Sequence, residues 1–324
     1  MAINIKTSIR ARRWQRREGI QMKRKVNLVG QNTLTVSLPT KWARDNGIKK
    51  GDEINILEEN KELRILVGEA QKKGPKEISI SFKKEHAVGI RSILGAYYRK
   101  GYDIIKVTFE SDKIFSILKD AVGSLIGYEI VERGKNSCTI KSYLVENKDE
   151  YNSCVMRMVN TVKTSMHAVK EDYNKNEYGR LKELEEYRFA GWKLRDLGMR
   201  ILVKENLYGE PSYGHMIILW TLEKISRNYK RMYGAISENK LKKDPKISKM
   251  MEEVAEYFDI FVKTLNKMDI ASVEELNIEH DRITKELYSL LPKAKLNSLI
   301  IYYLLENTRR IQDMASLLIV ANQD

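Results

Sequence analysis

The sequence predicts a multi-domain α+β protein with a small β-rich domain, a small α+β domain and an all-helical C-terminal half. Three observations lead to this prediction. The chain has 324 residues, and at about 100–200 residues per domain this length allows two or three domains. Alternating apolar residues dominate 23–67, strand and helix patterns alternate over 76–148, and the period of an α-helix governs the rest of the chain.

The composition is that of ordinary globular domains. Hydrophobic residues make up 42% and charged residues 31%, with 5 Pro and 2 Cys, which excludes collagen-like and disulfide-stapled architectures. We divide the chain into a basic arm at residues 1–22, a β-rich domain at 23–68, a connecting α+β domain at 69–148 and a helical domain at 149–324, the last made of repeats at 149–240 and 241–324. Disorder is one interpretation of the arm, and Met22 offers an alternative start of translation.

The β-rich domain contains four predicted strands and one short helix. The strands are Lys25–Val29, Thr33–Leu38, Glu53–Leu57 and Glu62–Val67, with a turn at Gly30-Gln31-Asn32. Pro39 opens the helix and Gly47 follows its end, which are the positions these two residues favour. About 45 residues bury little apolar surface by themselves, so we expect this domain to associate with a second copy.

The connecting domain has the order β-α-β-α-β-β. Its predicted elements are Glu77–Phe82, His86–Arg99, Ile104–Phe109, Ile114–Ile126, Tyr128–Glu132 and Cys138–Val145. It contains no glycine-rich loop of the kind that binds a dinucleotide.

Six helices are predicted in the C-terminal half, at 150–175, 177–208, 212–239, 245–268, 273–290 and 292–322. Asp244 before Pro245 predicts the start of the fourth helix, and a capping box at Ser272–Glu275 predicts the start of the fifth. Pro211 and Pro292 mark the starts of the third and sixth.

The helices also form a repeat. Glu185-Glu186-Tyr187-Arg188 in the second helix corresponds to Glu279-His280-Asp281-Arg282 in the fifth, and Leu222–Ile225 in the third corresponds to the Thr308–Asp313 region in the sixth. Two three-helix units, packed as antiparallel bundles, are the simplest interpretation.

The net charge of +14 is concentrated near the N-terminus. Residues 1–25 contain nine Lys or Arg and one acidic residue, Glu18. Such an arm favours a polyanion such as DNA, RNA or an anionic membrane surface, and a solvated tail is the alternative. The arm lacks the apolar stretch of a secretory signal, and no run of about 18 apolar residues occurs. We therefore expect a cytoplasmic protein without a transmembrane segment.

Residues 23–57 resemble the SpoVT/AbrB swapped-hairpin domain in its archaeal form. The motifs that carry the resemblance are Val36-Ser37-Leu38-Pro39, Lys41-Trp42-Ala43, Gly47-Ile48-Lys49 and Gly51-Asp52-Glu53. The middle segment, through Gly101-Tyr102-Asp103 and the strand after it, is similar to the connecting domain of the same archaeal proteins.

The helical half resembles PhoU, the phosphate-uptake regulator. This resemblance depends on the two three-helix repeats and on the motifs Leu222-Glu223-Lys224-Ile225 and Arg310-Ile311-Gln312-Asp313-Met314-Ala315. The whole chain thus resembles an archaeal phosphate-uptake regulator with an AbrB-type domain at its head. The resemblance implies a homodimer that binds double-stranded DNA through this head and senses phosphate status through its helical half.

The same resemblance implies which residues contact DNA. AbrB-type domains present basic side chains from strand ends and from the short helix, and the matching positions here are Lys23, Arg24, Lys25, Lys41 and Arg44. Phosphate contacts by these cations would supply most of the affinity. Some members of the superfamily use the fold mainly to dimerise or to bind a partner protein, so that alternative stays open.

PhoU-type bundles place carboxylates four residues apart on one helix face, where they share iron or another divalent cation. The matching positions are Glu185, Glu223, Glu279, Asp281 and Asp313. The pairs are broken, because Arg227, Arg309 and Tyr187 occupy partner positions. No cofactor is therefore certain. Surface charges, or internal ion pairs such as Glu223 with Arg309, are the alternative.

The expected function is a transcriptional regulator of phosphate uptake. The alternative is an adaptor that regulates a phosphate transporter or a signalling partner by protein contact, with the head used only for dimerisation. No Ser-His-Asp order, nucleophile elbow or paired acid and base is recognisable, so we expect no enzymatic activity.

Overall fold

The computed structural model describes residues 23–30, 32–59, 62–67, 74–208, 212–267 and 270–321. The predicted arm, Gln31 of the predicted turn, most of the linker after Val67, and Pro211 lie outside these residues. The chain divides into two compact units, and the boundary between them along the sequence lies between Gly74 and Pro75. We call the described residues 23–67 the head, and within the second unit we call 75–146 the middle domain and 147–321 the helical body.

The head consists of two antiparallel hairpins and one short helix. Its elements are β1 Val26–Val29, β2 Thr33–Val36, α1 Thr40–Asp45, β3 Ile54–Glu59 and β4 Glu62–Val67. β1 pairs with β2 and β3 pairs with β4, as two separate sheets. Gly30 and Gly47 both adopt φ +69°, a left-handed conformation that glycine tolerates at the turn and at the end of α1. The prediction of a small β-rich domain is confirmed.

The first hairpin of the head leaves its apolar side chains open to solvent. Leu28 and Leu34 face each other across β1 and β2, and they are 63% and 70% exposed. Val26 and Val36 pair at the end of the same hairpin and are also exposed. These four apolar side chains on one face of the hairpin are thus left largely uncovered by the described residues of the head.

The middle domain is a four-stranded sheet covered on one face by two helices. Its elements are β5 Glu77–Phe82, α2 Ala87–Arg99, β6 Ile104–Phe109, α3 Asp112–Gly123, β7 Tyr128–Arg133 and β8 Ser137–Ser142. The strand order is β5-β6-β8-β7, and only β5 and β6 run parallel. Leu94 and Leu118 of the helices are buried against Ile105 and Ile140 of the sheet, which confirms the predicted β-α-β-α-β-β domain.

The helical body contains six long helices. They are α4 Lys148–Lys175, α5 Leu181–Lys204, α6 Ser212–Glu238, α7 Pro245–Lys267, α8 Ile270–Leu290 and α9 Ser298–Ala321. α6 packs against α4, α5 and α9, while α9 also packs against α7 and α8. The contact between α6 and α9 therefore joins two sets of three helices. Within the described part of the chain, no helix has both the length and the apolarity that a membrane span requires.

Local signals place several helix ends correctly, but α5 is four residues shorter at each end than the predicted 177–208, and two predicted starts are wrong. Asp244 Oδ1 accepts the Lys246 N–H at 2.8 Å, so the predicted start of α7 is confirmed. The predicted capping box is wrong, because α8 begins at Ile270 and Ser272 already lies inside it. The predicted start at Pro292 is also wrong, because this proline lies in a 3₁₀ turn and α9 begins only at Ser298. Lys295, at φ +46°, breaks the helical conformation between them. A cap contributes only about 1 kcal/mol, so packing readily moves a helix start.

The middle domain and the helical body have separate apolar cores but share a polar junction. Arg200 of α5 lies at its centre and is fully buried. Its guanidinium donates to the carbonyls of Tyr98 and Tyr102, at 3.1 and 2.6 Å, and to carboxylates of Asp103 and Glu146. Both domains therefore belong to one compact unit.

Candidate functional site

The register of the first hairpin brings the predicted DNA-contacting residues to one end of the head. Val26 at the start of β1 pairs with Val36 at the end of β2. The basic residues before β1 and the helix that follows β2 therefore lie at the same end of this hairpin, while the turn lies at the other. The residues placed at that end are Lys23, Arg24, Lys25, Lys41 and Arg44.

These five side chains are exposed. Among the described residues, no ion pair engages any of them. Lys41 and Arg44 lie three residues apart on the outer side of α1, whereas Trp42 and Ala43 between them are half-buried. The nearby Asp52 contacts the backbone of the head, because its Oδ2 accepts the Lys49 N–H at 2.7 Å. The end of the head thus carries cations that are available to a polyanion.

The carboxylates expected to hold a cation are not brought together. Glu185 forms an ion pair with Arg188 and lies 3.3 Å from Lys230. Glu223 is fully buried and is 2.5 Å from Arg227 and 3.4 Å from Arg195. The suggested pairing of Glu223 with Arg309 is therefore wrong.

The remaining candidates lie in the second set of helices. Glu279 pairs with Arg282 at 2.8 Å, Asp281 is solvent-exposed beside His280, and Asp313 lines a separate cleft on α9. Within the described residues, no group of three or more His, Cys, Asp or Glu is arranged to hold a metal ion. Cation binding stays a prediction that these carboxylate positions do not support.

A basic cleft between α5 and α6 was missed by the sequence interpretation. It has a volume of about 370 Å³ and is lined by Glu185, Arg188, Trp192, Arg227, Lys230 and Arg231. Arg227, Lys230 and Arg231 follow one another at helical spacing on α6, and this was the available signal. The hydrogen bond that Arg188 donates to Glu185 is the main reason why the pKa of this carboxyl lies below its usual range. Glu185 therefore stays ionised among the cations of the cleft.

A chain of ion pairs connects this cleft with the middle domain. Arg99 of α2 donates to Asp196 at 3.0 Å, and Arg195 donates to the same oxygen at 2.7 Å. Arg195 in turn approaches Glu223, which holds Arg227 at the cleft. Charges alternate along the whole series, so each buried member has a partner of opposite sign.

Comparison with known families supports the head alone. Residues 29–77 match the model of antidote-toxin recognition MazE, a bacterial antitoxin family. The head is similar to MazE. Comparison with curated proteins and with solved structures gives no match. An AbrB- or MazE-like head is consistent with a DNA-binding regulator or a dimerisation module, whereas the resemblance of the helical body to PhoU remains a prediction.

Proposed function

We propose that the protein is a DNA-binding transcriptional regulator of phosphate uptake, with the MazE-like head as its DNA reader and the helical body as its sensor. The observation that carries DNA binding is a set of five exposed basic residues at one end of this head, none of which forms an ion pair with another residue that the structure describes. The link to phosphate uptake rests on the PhoU resemblance. A cytoplasmic location and the lack of enzymatic activity are parts of the same proposal.

The proposed active form is a homodimer. The exposed apolar face of the first hairpin, formed by Val26, Leu28, Leu34 and Val36, would be buried by a second copy. Burial of apolar surface stabilises association. A dimer would also double the number of basic residues presented to the duplex, and each phosphate that they neutralise adds to the binding free energy.

The direct test is a gel shift of the full-length protein on a phosphate-transporter promoter at several salt concentrations. Arg24→Ala and Arg44→Ala should each weaken binding and reduce the log–log salt slope by about 2, because each substitution removes one phosphate contact from both protomers of the dimer. Arg157→Ala removes an exposed arginine from α4 and is the matched control, with no expected effect. A promoter shift that is absent, or that ignores salt and both head variants, would refute the proposal.

A second candidate function is an adaptor that contacts a phosphate-transporter subunit or a signalling protein. The observation in its favour is an exposed apolar stripe on α6, formed by Tyr213, Ile217 and Trp220. Co-purification of transporter subunits with the full-length protein would support this function. Loss of that co-purification in Ile217→Glu, combined with no DNA shift, would make the adaptor the better assignment.

A further inference from the structure

We propose that the basic cleft between α5 and α6 binds a phosphate group, either as inorganic phosphate or as part of a nucleotide. This ligand would supply the sensing half of the proposed function, and its biological meaning rests on that function. Binding of this ligand can be measured without DNA, so the phosphate site is tested independently of DNA binding.

The first argument is the charge of the cleft. Four cationic side chains line it against one carboxylate, that of Glu185. Three of the cations are guanidinium groups, whose planar pairs of N–H donors match the oxygens of a phosphate. Arg188 and Lys230 share Glu185, whereas Arg231 is exposed and none of the ion pairs among the described residues involves it.

The second argument comes from the corresponding place in the other set of helices. Glu223 and Arg227 on α6 form an ion pair four residues apart, and so do Glu306 and Arg310 on α9. Likewise, Glu185 with Arg188 on α5 corresponds to Glu279 with Arg282 on α8, three residues apart in both. These repeated pairs align α5 and α6 with α8 and α9.

The aligned cleft has the same volume but a different charge. It also measures about 370 Å³ and is lined by His280, Glu306, Arg309, Arg310, Gln312 and Asp313. Two carboxylates there balance two guanidinium groups. In this alignment Asp313 and Met314 take the places of Lys230 and Arg231. The cationic excess is therefore specific to the first cleft and does not follow from the helical repeat itself.

The behaviour of a nearby lysine is consistent with a positive local field. Burial lowers the pKa of Lys224, and the charge of Arg227 is the next largest contribution in the same direction. Glu223 opposes this effect, yet the net pKa remains lowered. Lys224 follows Glu223 on α6, and Arg195 and Arg310 also contribute to lowering its pKa.

The size of the cleft suits a phosphate group and one organic substituent. Ligand sites commonly occupy about 300–1,000 Å³, and an open cleft of about 370 Å³ accommodates inorganic phosphate with room to spare. Trp192 forms an apolar wall beside the cations. An indole ring can stack on a nucleobase, which is why a nucleotide is the second source to be tested.

The experiment is calorimetric titration of the full-length protein in a low-salt, phosphate-free buffer without DNA. Inorganic phosphate and ATP are titrated separately. Saturable binding of phosphate with no gain for ATP assigns the site to inorganic phosphate, and markedly tighter binding of ATP assigns it to a nucleotide. No saturable binding of either probe would overturn the proposal.

Variants locate the binding to this cleft. Lys230→Asp with Arg231→Met introduces the residue types of the aligned Asp313 and Met314, and we expect the Kd to rise about tenfold or more, since charge-assisted contacts are lost. Arg231→Ala is a milder variant that should weaken binding in the same direction. Arg309→Ala in the second cleft is the matched control and should leave the Kd unchanged.

Circular dichroism checks that each variant is folded. Retention of wild-type affinity by both cleft variants would refute the assignment of the site. Arg24→Ala in the head should leave phosphate binding unchanged whatever its effect on DNA, so failure of the DNA proposal and failure of the phosphate site can be told apart.

Discussion

Arg200 Nε of α5 donates to Glu146 Oε1 at 2.8 Å, and the two side chains are 0% and 4% exposed. The same guanidinium donates through Nη2 to Asp103 of the middle domain, also at 2.8 Å. One arginine therefore joins the chain segment that leaves β8 with the loop that precedes β6. Because Arg200 is buried, both carboxylates are needed to compensate its positive charge.

Replacing Arg200 should destabilise the junction strongly. Arg200→Met removes the fully buried donor that two carboxylates and two backbone carbonyls share, and breaking a buried pair in this way costs about 3–5 kcal/mol. We expect a lower urea midpoint for the second unit. Lys204→Met is the control: Lys204 contacts the same two carboxylates but is more exposed, so its loss should cost clearly less. Equal losses in both variants would contradict the central role of Arg200.

Asp196 should be the critical member of the ion-pair chain between α2 and α6. It is buried and accepts from both Arg99 and Arg195. Asp196→Asn leaves the buried guanidinium of Arg195 short of negative charge, and we expect a loss of about 3–5 kcal/mol in the free energy of unfolding.

The matched control for this variant is Asp259→Asn. Asp259 pairs with Lys163 at 2.6 Å with both side chains well exposed, and exposed pairs contribute only about 0–1 kcal/mol. Thermal and urea unfolding of both variants compares the two environments directly. A small effect of Asp196→Asn would mean that Glu223 alone is enough to balance Arg195.

Stability should fall in acid partly because of Glu171. Hydrogen bonds from Lys175 and then Arg180 lower its pKa from 4.5 to about 2. A carboxyl with a depressed folded pKa contributes stability above its unfolded pKa and loses it as the pH falls through the folded value. The contribution of Glu171 is therefore complete above about pH 4.5 and is lost between there and about pH 2.

Glu171→Gln removes this contribution at every pH. Its Tm should lie below that of the wild type at pH 6, and the gap should narrow as the pH is lowered toward 3. Differential scanning calorimetry across this range measures both quantities. Parallel curves with a constant gap would show that protonation of Glu171 is not coupled to unfolding.

The apolar face of the head should control its association. Leu34→Arg places a charge among Leu28, Val26 and Val36, and we expect a shift from dimer to monomer in light scattering at micromolar concentration. Asn27→Arg adds the same charge on the opposite face of the hairpin and should leave the dimer intact. A wild-type monomer, or equal effects of the two arginines, would argue against association through this face.

Most of the fold follows from local patterns. Alternation and helical periodicity located the strands and helices, because these signals depend on residues within one or two turns of each other. The errors at Ser272 and Pro292 arose where a weak local preference competes with packing of a whole helix. The basic residues of the head could also be predicted from the sequence, since they lie next to the first strand and on one short helix.

The ion pairs between different helices could not be predicted in this way. Glu185 and Lys230 are 45 positions apart, and Arg99 and Asp196 are 97 apart, so no local pattern relates them. The resemblance to PhoU made Glu185 and Glu223 candidate ligands of a cation. The packing of α5 against α6 adds Lys230 beside Glu185 and Arg195 beside Glu223, and it leaves an excess of positive charge between the helices. Periodicity thus determined which faces turn inward, whereas the sign of the charge in the cleft depended on which side chains the folded helices bring within ion-pairing distance.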